Sequence, residues 1–194
     1  MSHDEFFEWH GTELPYLDHP YNTTLLNERS IEVPIVQAWL HDRRGWGLEL
    51  GNVLAHYGHE VDNRRVVDRW EEDVEVENLD VFDIEGTYDW IVAISTIEHV
   101  RWDEPNENPL GAIQAASHLV SCLGLGGSMI VTVPFGQNPY LDGAILAGGL
   151  GAERETTALW QPGRWQFNHD QRIWAPLRDE NRWPNAVWIG EWGP

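Results

Sequence analysis

The residues of this chain best suited to chemistry are acids set beside short apolar runs. Glu49 lies in Gly47-Leu-Glu-Leu-Gly51, Asp68 closes Arg65-Val-Val-Asp68, and Asp80 sits in Leu79-Asp-Val-Phe82. Ser95-Thr-Ile-Glu-His99 follows the run Trp90-Ile-Val-Ala-Ile94. A carboxylate at the end of a second strand can accept two hydrogen bonds from a ribose 2′,3′-diol. Gly51 lets the backbone turn tightly and approach a ligand closely. His99 suits a general base, since its ordinary pKa of about 6.5 lies near neutrality; a structural histidine bonded to a backbone carbonyl is the competing reading. Glu98 is the second candidate base, against the alternative of a helix-start charge favoured by the N-terminal dipole. Tyr21, in Pro20-Tyr-Asn-Thr-Thr24, and Tyr140, closing Pro134-Phe-Gly-Gln-Asn-Pro-Tyr140, carry hydroxyls able to orient or deprotonate a substrate. Tyrosines of this kind also pack simply, with the hydroxyl at the surface. Asp89 opens the fourth run at its far end and reads as structural.

These residues need elements to hold them. The runs at Gly47–Gly51, Arg65–Asp68, Leu79–Phe82, Trp90–Ile94 and Ser128–Val133 are rich in Val and Ile and nearly continuous. That is the pattern of strands buried on both faces of a parallel sheet. Between the fourth and fifth runs, Leu110, Ile113, Ala116, Leu119, Val120 and Leu123 share one face of a helix spanning Pro109 to Leu123. Gly124 and Gly126-Gly127 stop it. Strand, helix, strand at this spacing is the crossover unit of an α/β domain. Upstream, Leu25, Leu26, Ile31, Ile35, Val36 and Leu40 predict a helix from Thr23 to His41, kinked at Pro34. Downstream, Gly143 to Gly151 reads as a flexible loop, and Asn185 to Trp192 alternates as a terminal strand. Six of the 12 Trp follow residue 136, and they suit a small core under that strand better than an aromatic substrate wall.

Composition narrows the partners. The 194 residues hold 32 Asp and Glu against 12 cations, all Arg, for a net charge of −20. Nucleic acid and anionic membrane are poor partners for such a surface, because both require clustered cations. Neutral or cationic small molecules suit it, and a homo-oligomer is compatible with it. An 11% aromatic content excludes a disordered acidic tail. The lone Cys122 rules out an internal disulfide and fits a reducing compartment. No cationic, then apolar leader opens the chain and no run approaches the ~18 apolar residues of a membrane span, so the expected location is the cytoplasm. The Asn22-Thr-Thr24 triplet is then a silent glycosylation signal. A phosphate-binding P-loop is excluded by the absence of Lys. His56-Tyr-Gly-His59 with Glu60 lacks the further ligands of a metal site.

The motifs together resemble the class I S-adenosylmethionine-dependent methyltransferases over roughly residues 45–135. Leu48-Glu-Leu-Gly-Asn-Val53 is similar to their first motif, Val66-Val-Asp68 to the ribose-binding acid, and Leu79-Asp-Val81 to the segment beside adenine. Tyr88-Asp-Trp-Ile-Val92 with Ser95-Thr-Ile-Glu-His-Val100 resembles the fourth strand and the motif after it. Leu125-Gly-Gly-Ser-Met-Ile-Val131 resembles the Gly-Gly step into the fifth strand. The resemblance implies a Rossmann-like methyltransferase fold: a mostly parallel sheet of about seven strands, the last antiparallel, with helices on both faces. It implies residues 1–45 as a cap over the cofactor and 46–194 as the catalytic domain. It further implies that Glu49, Gly51, Asn52, Asp68, Asp80, Val81 and Ser95 bind S-adenosyl-L-methionine. His99, Glu98, Tyr21 and Tyr140 would then serve the acceptor, an O or N atom of a small molecule such as a sugar or secondary metabolite. One departure stands out: the glycine-rich first motif is here Glu49-Leu-Gly-Asn-Val-Leu-Ala55, with one glycine of three. It motivates a rival reading, a non-methylating cofactor or nucleotide binder with a regulatory or scaffold role. A dinucleotide oxidoreductase would need a G-x-G-x-x-G after the first strand, which is absent.

Overall fold

In a computed structural model of the chain, residues 5–59, 61–103, 107–175, 177 and 183–194 are described, with the side chain of Leu26 excepted. Glu60, of the His-x-x-His segment, and residues 1–4 of the N-terminal segment lie outside the described residues. A small hairpin comes first, β1 (Phe6–Trp9) and β2 (Thr12–Pro15), followed by helix α1 (Arg29–Leu40). Then come β3 (Gly47–Leu50), the short helix α2 (Val53–His56), β4 (Arg64–Asp68), β5 (Val76–Asn78) and β6 (Tyr88–Ile94). Helix α3 (Gly111–Ser121) leads into β7 (Leu123–Pro134), and α4 (Pro139–Leu146) precedes the hairpin of β8 (Arg154–Gln161) and β9 (Arg164–His169). Strand β10 (Ala186–Trp192) ends the fold.

The main sheet has eight strands in the order β5-β4-β3-β6-β7-β10-β8-β9. Pairings from β5 through β7 are parallel, and those of β10 with β7, β10 with β8, and β8 with β9 are antiparallel. The chain moves outward from β3 to β4 and β5, then returns to lay β6 against the other side of β3. That reversal opens a crevice at the carboxyl ends of β3 and β6, where such sheets bind ligands.

Alternation along the central strands feeds two cores. Ile91 and Ala93 of β6, with Met129, Val131 and Val133 of β7, pack beneath α3 and α4. Trp90, Val92 and Ile94, with Ile130, face the other way onto Ile31, Ile35 and Val36 of α1 and Leu54 of α2. Phe7 and Trp9 of the first hairpin join this second core, with Phe7 stacked on Phe167 of β9 at 5.3 Å. Trp165, Trp188 and Trp192 are buried and furnish core, as their sequence context suggested, whereas Trp174 is exposed.

Four sequence expectations need correction. The third strand is Val76–Asn78, not Leu79–Phe82; Asp80 instead caps a 3-10 turn, Val81–Asp83, accepting the Phe82 N–H at 3.1 Å. Helix α1 begins at Arg29, because Asn22 and Thr23 adopt left-handed backbone (φ 59° and 53°) and end any helix upstream. Gly143 lies within α4. The sheet gains an eighth strand, because Pro162-Gly163 folds Gln161 against Arg164 in a two-residue loop. Pro34 sits inside α1, where it cannot donate to the Ser30 carbonyl; that carbonyl accepts from the Leu17 N–H instead, at 2.9 Å.

Candidate active site

A pocket of about 500 Å³ opens at the crevice beside β3. Its lining includes Gly51, Asn52, Val53 and His56 after β3, Asp68 to Glu71 after β4, Leu79 to Val81 after β5, and Ser95, Thr96, His99, Val100 and Asp103 after β6. The volume falls within the range of roughly 300–1,000 Å³ usual for small-molecule sites.

The turn after β3 is tightly built. Gly51 holds φ 79°, and a methyl group placed on it would come within 2.5 Å of Thr96 Oγ1. Glycine is therefore required both for backbone conformation and for space. Beneath it Glu49 is 1% exposed and does not line the pocket. Its Oε1 accepts the Leu54 N–H at 2.8 Å and its Oε2 is ion-paired with Arg64 Nε at 3.1 Å. Glu49 thus satisfies an N-terminal amide of α2 from inside the sheet, a task the Asn52 side chain leaves undone. Burial pushes its carboxyl above the ordinary range, while Arg64 pulls it back. Asn52 instead reaches across the mouth and donates to Glu71 Oε1 at 2.7 Å, and Glu71 Oε2 meets His56 Nε2 at 3.2 Å.

At the end of β4, Asp68 Oδ1 accepts the Trp70 and Glu71 N–H groups, each at 2.8 Å, which fixes the carboxylate against the pocket. Asp80 is held more firmly. Its Oδ1 takes the Phe82 N–H, while Oδ2 meets Arg69 Nη1 at 2.9 Å and also Arg101 Nη2. Trp70 stands exposed at the rim beneath Arg69.

After β6, Ser95 takes up a left-handed conformation (φ 40°) and donates its hydroxyl to Glu32 of α1 at 2.6 Å. His99 Nδ1 lies 2.7 Å from Asp103 Oδ2. An ionised Asp103 draws the imidazole proton to Nδ1 and leaves Nε2 as the basic nitrogen. Glu98 is buried behind His99 and does not line the pocket. Tyr21 and Tyr140 also stand outside the lining. Tyr21 stacks on the pocket residue His56 at 4.9 Å, and Tyr140 meets Trp102 edge-on at 5.7 Å.

Seven of the residues singled out from sequence therefore share one cavity: Gly51, Asn52, Asp68, Asp80, Val81, Ser95 and His99. Glu71, Arg69 and Asp103 of the lining, and Arg101 behind Asp80, were not singled out, and His56 was weighed only as a metal ligand. Only Asp103 carried a legible signal, lying four residues beyond His99. Among the described residues, no group of three or more His, Cys, Asp or Glu is arranged to hold a metal ion, and no helix is long and apolar enough to cross a membrane.

The strand order and the crevice site define a Rossmann-like fold of the methyltransferase type. No protein-family model matches the chain, and no curated protein matches it. Among solved structures the chain is similar to the N-methyltransferase NodS from Bradyrhizobium japonicum WM9 in complex with S-adenosyl-L-homocysteine, with TM-score 0.50 and 12% identity, covering 90% of this chain and 87% of that one. A further NodS structure from the same source aligns with TM-score 0.49 and 12% identity, over 90% of this chain and 97% of that chain. Magnesium protoporphyrin IX methyltransferase ChlM from Synechocystis PCC 6803 with bound SAM aligns with TM-score 0.44 and 12% identity, over 82% and 76%. At such identity the NodS likeness speaks to the fold.

Proposed function

We propose that this protein is an S-adenosylmethionine-dependent methyltransferase acting on an O or N atom of a small molecule. The observation that carries the reading is the convergence of Gly51, Asp68, Asp80-Val81 and Ser95 on one crevice at the carboxyl ends of parallel strands. The donor set fits the cofactor. Asp68 offers a fixed carboxylate to a ribose diol, and the Gly51 turn leaves room for backbone approach. Asp80 retains acceptor capacity beside Val81, although its two arginines share the carboxylate that an adenine amino group would use. When bound, the cofactor supplies an activated methyl group on a sulfonium, and the charge is lost on transfer.

The chain's own part is alignment and proton handling. Glu49 and Thr96 hold the Gly51 turn from below and beside it, and Ser95 is fixed by its bond to Glu32. Positioning of this kind is a main source of rate in a displacement that needs three atoms in line. His99, oriented by Asp103, offers Nε2 to a proton leaving the acceptor. Calorimetry with S-adenosylmethionine and S-adenosylhomocysteine tests the reading, with saturable one-to-one binding of both expected. Binding of neither overturns it, and tight binding without methyl transfer across acceptor panels favours a regulatory binder.

A further inference from the structure

At the amino ends of β3 and β4, away from the crevice, lies a second cavity of about 500 Å³ whose lining shares no residue with the candidate active site. Gln37 and His41 at the end of α1, Arg43 and Arg44 in the link to β3, and His59 and Asp62 in the link from α2 to β4 all face it. Its arginines stand apart from the others. Seven of the ten described arginines pair with a side-chain carboxylate. Arg43 and Arg44 do not, in a chain with 32 acids. Arg43 Nη2 donates to the Pro194 backbone oxygen at 3.3 Å, and its guanidinium lies 4.3 Å over the Trp39 ring. Arg44 Nη1 donates to the His41 and Arg43 carbonyls at 3.0 and 2.8 Å. Those bonds cover carbonyls at the end of α1 that would repel an anion. Arg43 Nη1, the Nε and Nη2 of Arg44, and the rings of His41 and His59 keep no protein partner and stay accessible from the cavity. Behind them, Gln37 Nε2 and Arg43 Nε are covered donors that nothing accepts from, a costly state for a buried polar group.

The acids nearby do not answer these donors. Asp62 lines the cavity but is exposed, and Asp42 and Asp89 are exposed and lie outside the lining. Asp89 Oδ2 is already engaged with the Trp46 N–H at 2.8 Å. An adjoining cavity of about 350 Å³ shares Gln37, His41 and His59 with the first, so the two are continuous. Its other walls include Leu14, Leu17, Pro34 and Ala38, with one acid, the exposed Asp18. A donor-rich end thus opens into an apolar one.

We propose that the joined cavities are a binding site for a small organic carboxylate with an apolar body, its carboxylate on Arg43 and Arg44 and its body against Leu14, Leu17, Pro34 and Ala38. The planar guanidinium fork matches a carboxylate in geometry as well as charge. The net charge of −20 repels anions at long range, and that penalty grows with each charge on the ligand, which selects a monoanion over a polyanion. Close contact with two arginines outweighs it, because exposed acids farther than about 8 Å are screened at physiological ionic strength. Burial and the neighbouring His19 push the His59 imidazole below its ordinary value, so the charge of the site comes from the arginines. The site does not depend on the methyl-transfer reading, since the two linings are separate.

The test uses the full chain and probes that share one tail, octanoate, octanol and octylamine, with acetate as the carboxylate that lacks it. In nitrogen-edited NMR spectra of the wild-type protein, octanoate should shift the Nε–Hε signals of Arg43 and Arg44 saturably and leave those of Arg69 and Arg101 in place. Calorimetry should show octanoate binding at least tenfold more tightly than each of the other three, with less than twofold change when S-adenosylhomocysteine is added. Arg43→Gln combined with Arg44→Gln should lose at least tenfold in octanoate affinity. Ala38→Glu, which sets a charge in the apolar end, should do the same. Octanol or octylamine binding as tightly as octanoate, unmoved Arg43 and Arg44 signals, or full affinity in the double variant overturns the proposal. Displacement of octanoate by S-adenosylhomocysteine also overturns it, by placing the probe in the crevice. Failure of S-adenosylhomocysteine to bind removes the methyl-transfer reading alone. The wild-type titration decides the matter even where a variant does not fold.

Discussion

Truncating Glu49 should damage the protein through two groups at once. Glu49→Ala removes the acceptor of the Leu54 N–H and the ion partner of Arg64, whose side chain is only 9% exposed. Breaking a buried pair by deleting one partner costs about 3–5 kcal/mol, because the remaining charge is left uncompensated. The orphaned amide costs about 1–3 kcal/mol. The two are not additive, since Arg64 is near the surface and can turn outward once released, so about 3 kcal/mol is the working figure. For a chain of this size each kcal/mol moves Tm by about 2–4 °C, which gives a fall of about 6–12 °C. Tryptophan fluorescence on a thermal ramp reads it directly. Because Glu49 also fixes the first turn of α2, the affinity for S-adenosylhomocysteine should drop several-fold in parallel. Glu49→Gln with Arg64→Met should recover most of the loss, since the amide oxygen still accepts from Leu54 and no charge is stranded. A fall below about 3 °C for Glu49→Ala refutes the assigned role, as does a double variant no better than the single one.

Four further outcomes are expected. Asp68→Ala should weaken S-adenosylhomocysteine binding by on the order of 1.5–3 kcal/mol through lost charged hydrogen bonds; calorimetry showing unchanged affinity removes the ribose assignment. Gly51→Ala, strained at φ 79° and crowded by Thr96, should abolish measurable cofactor binding while the far-ultraviolet circular dichroism stays native. His99→Ala should lower turnover at least tenfold with cofactor affinity unchanged, and full activity would make His99 structural. For pH, the folded protein holds the Glu98 proton more tightly than the unfolded chain, whose glutamates titrate near about 4.3. Stability contributed by this group is present at low pH and declines as pH rises toward the folded-state pKa. Glu98→Gln should therefore flatten the fall of Tm as pH rises above about 4.3, and a parallel-shifted curve would refute it.

Much of this architecture was legible because it rests on local rules. Continuous apolar runs, Leu in β3 and Val and Ile in β4, β6 and the core of β7, marked the strands, and the periodic face of residues 110–123 marked α3. The acids at strand ends were legible for the same reason: strand termini in a parallel sheet are where side chains meet the crevice. The misplaced third strand shows where local rules fail. Leu79, Val81 and Phe82 are apolar because they pack against the core from a loop, and apolar character alone does not distinguish the two. The capping bond from Asp80 to Phe82 decided the matter. A missed signal was Pro162-Gly163, an ordinary two-residue turn that announces β9. Glu49 and Glu98 could not be assigned from sequence, because adjacent positions on a strand or turn differ only in which way they point. Arg101 and Glu71 meet the site through loops remote in sequence, which no spacing rule reaches.

Pro34 has a consequence for how the molecule opens. A proline there leaves α1 one internal hydrogen bond short, and the Leu17 amide completes the count from outside. The incoming segment is thus stitched into the helix ladder itself. In amide hydrogen exchange, Leu17 and the middle turns of α1 belong to one cooperative opening unit, so the segment leading into the helix and the helix face behind Ser95 come undone together.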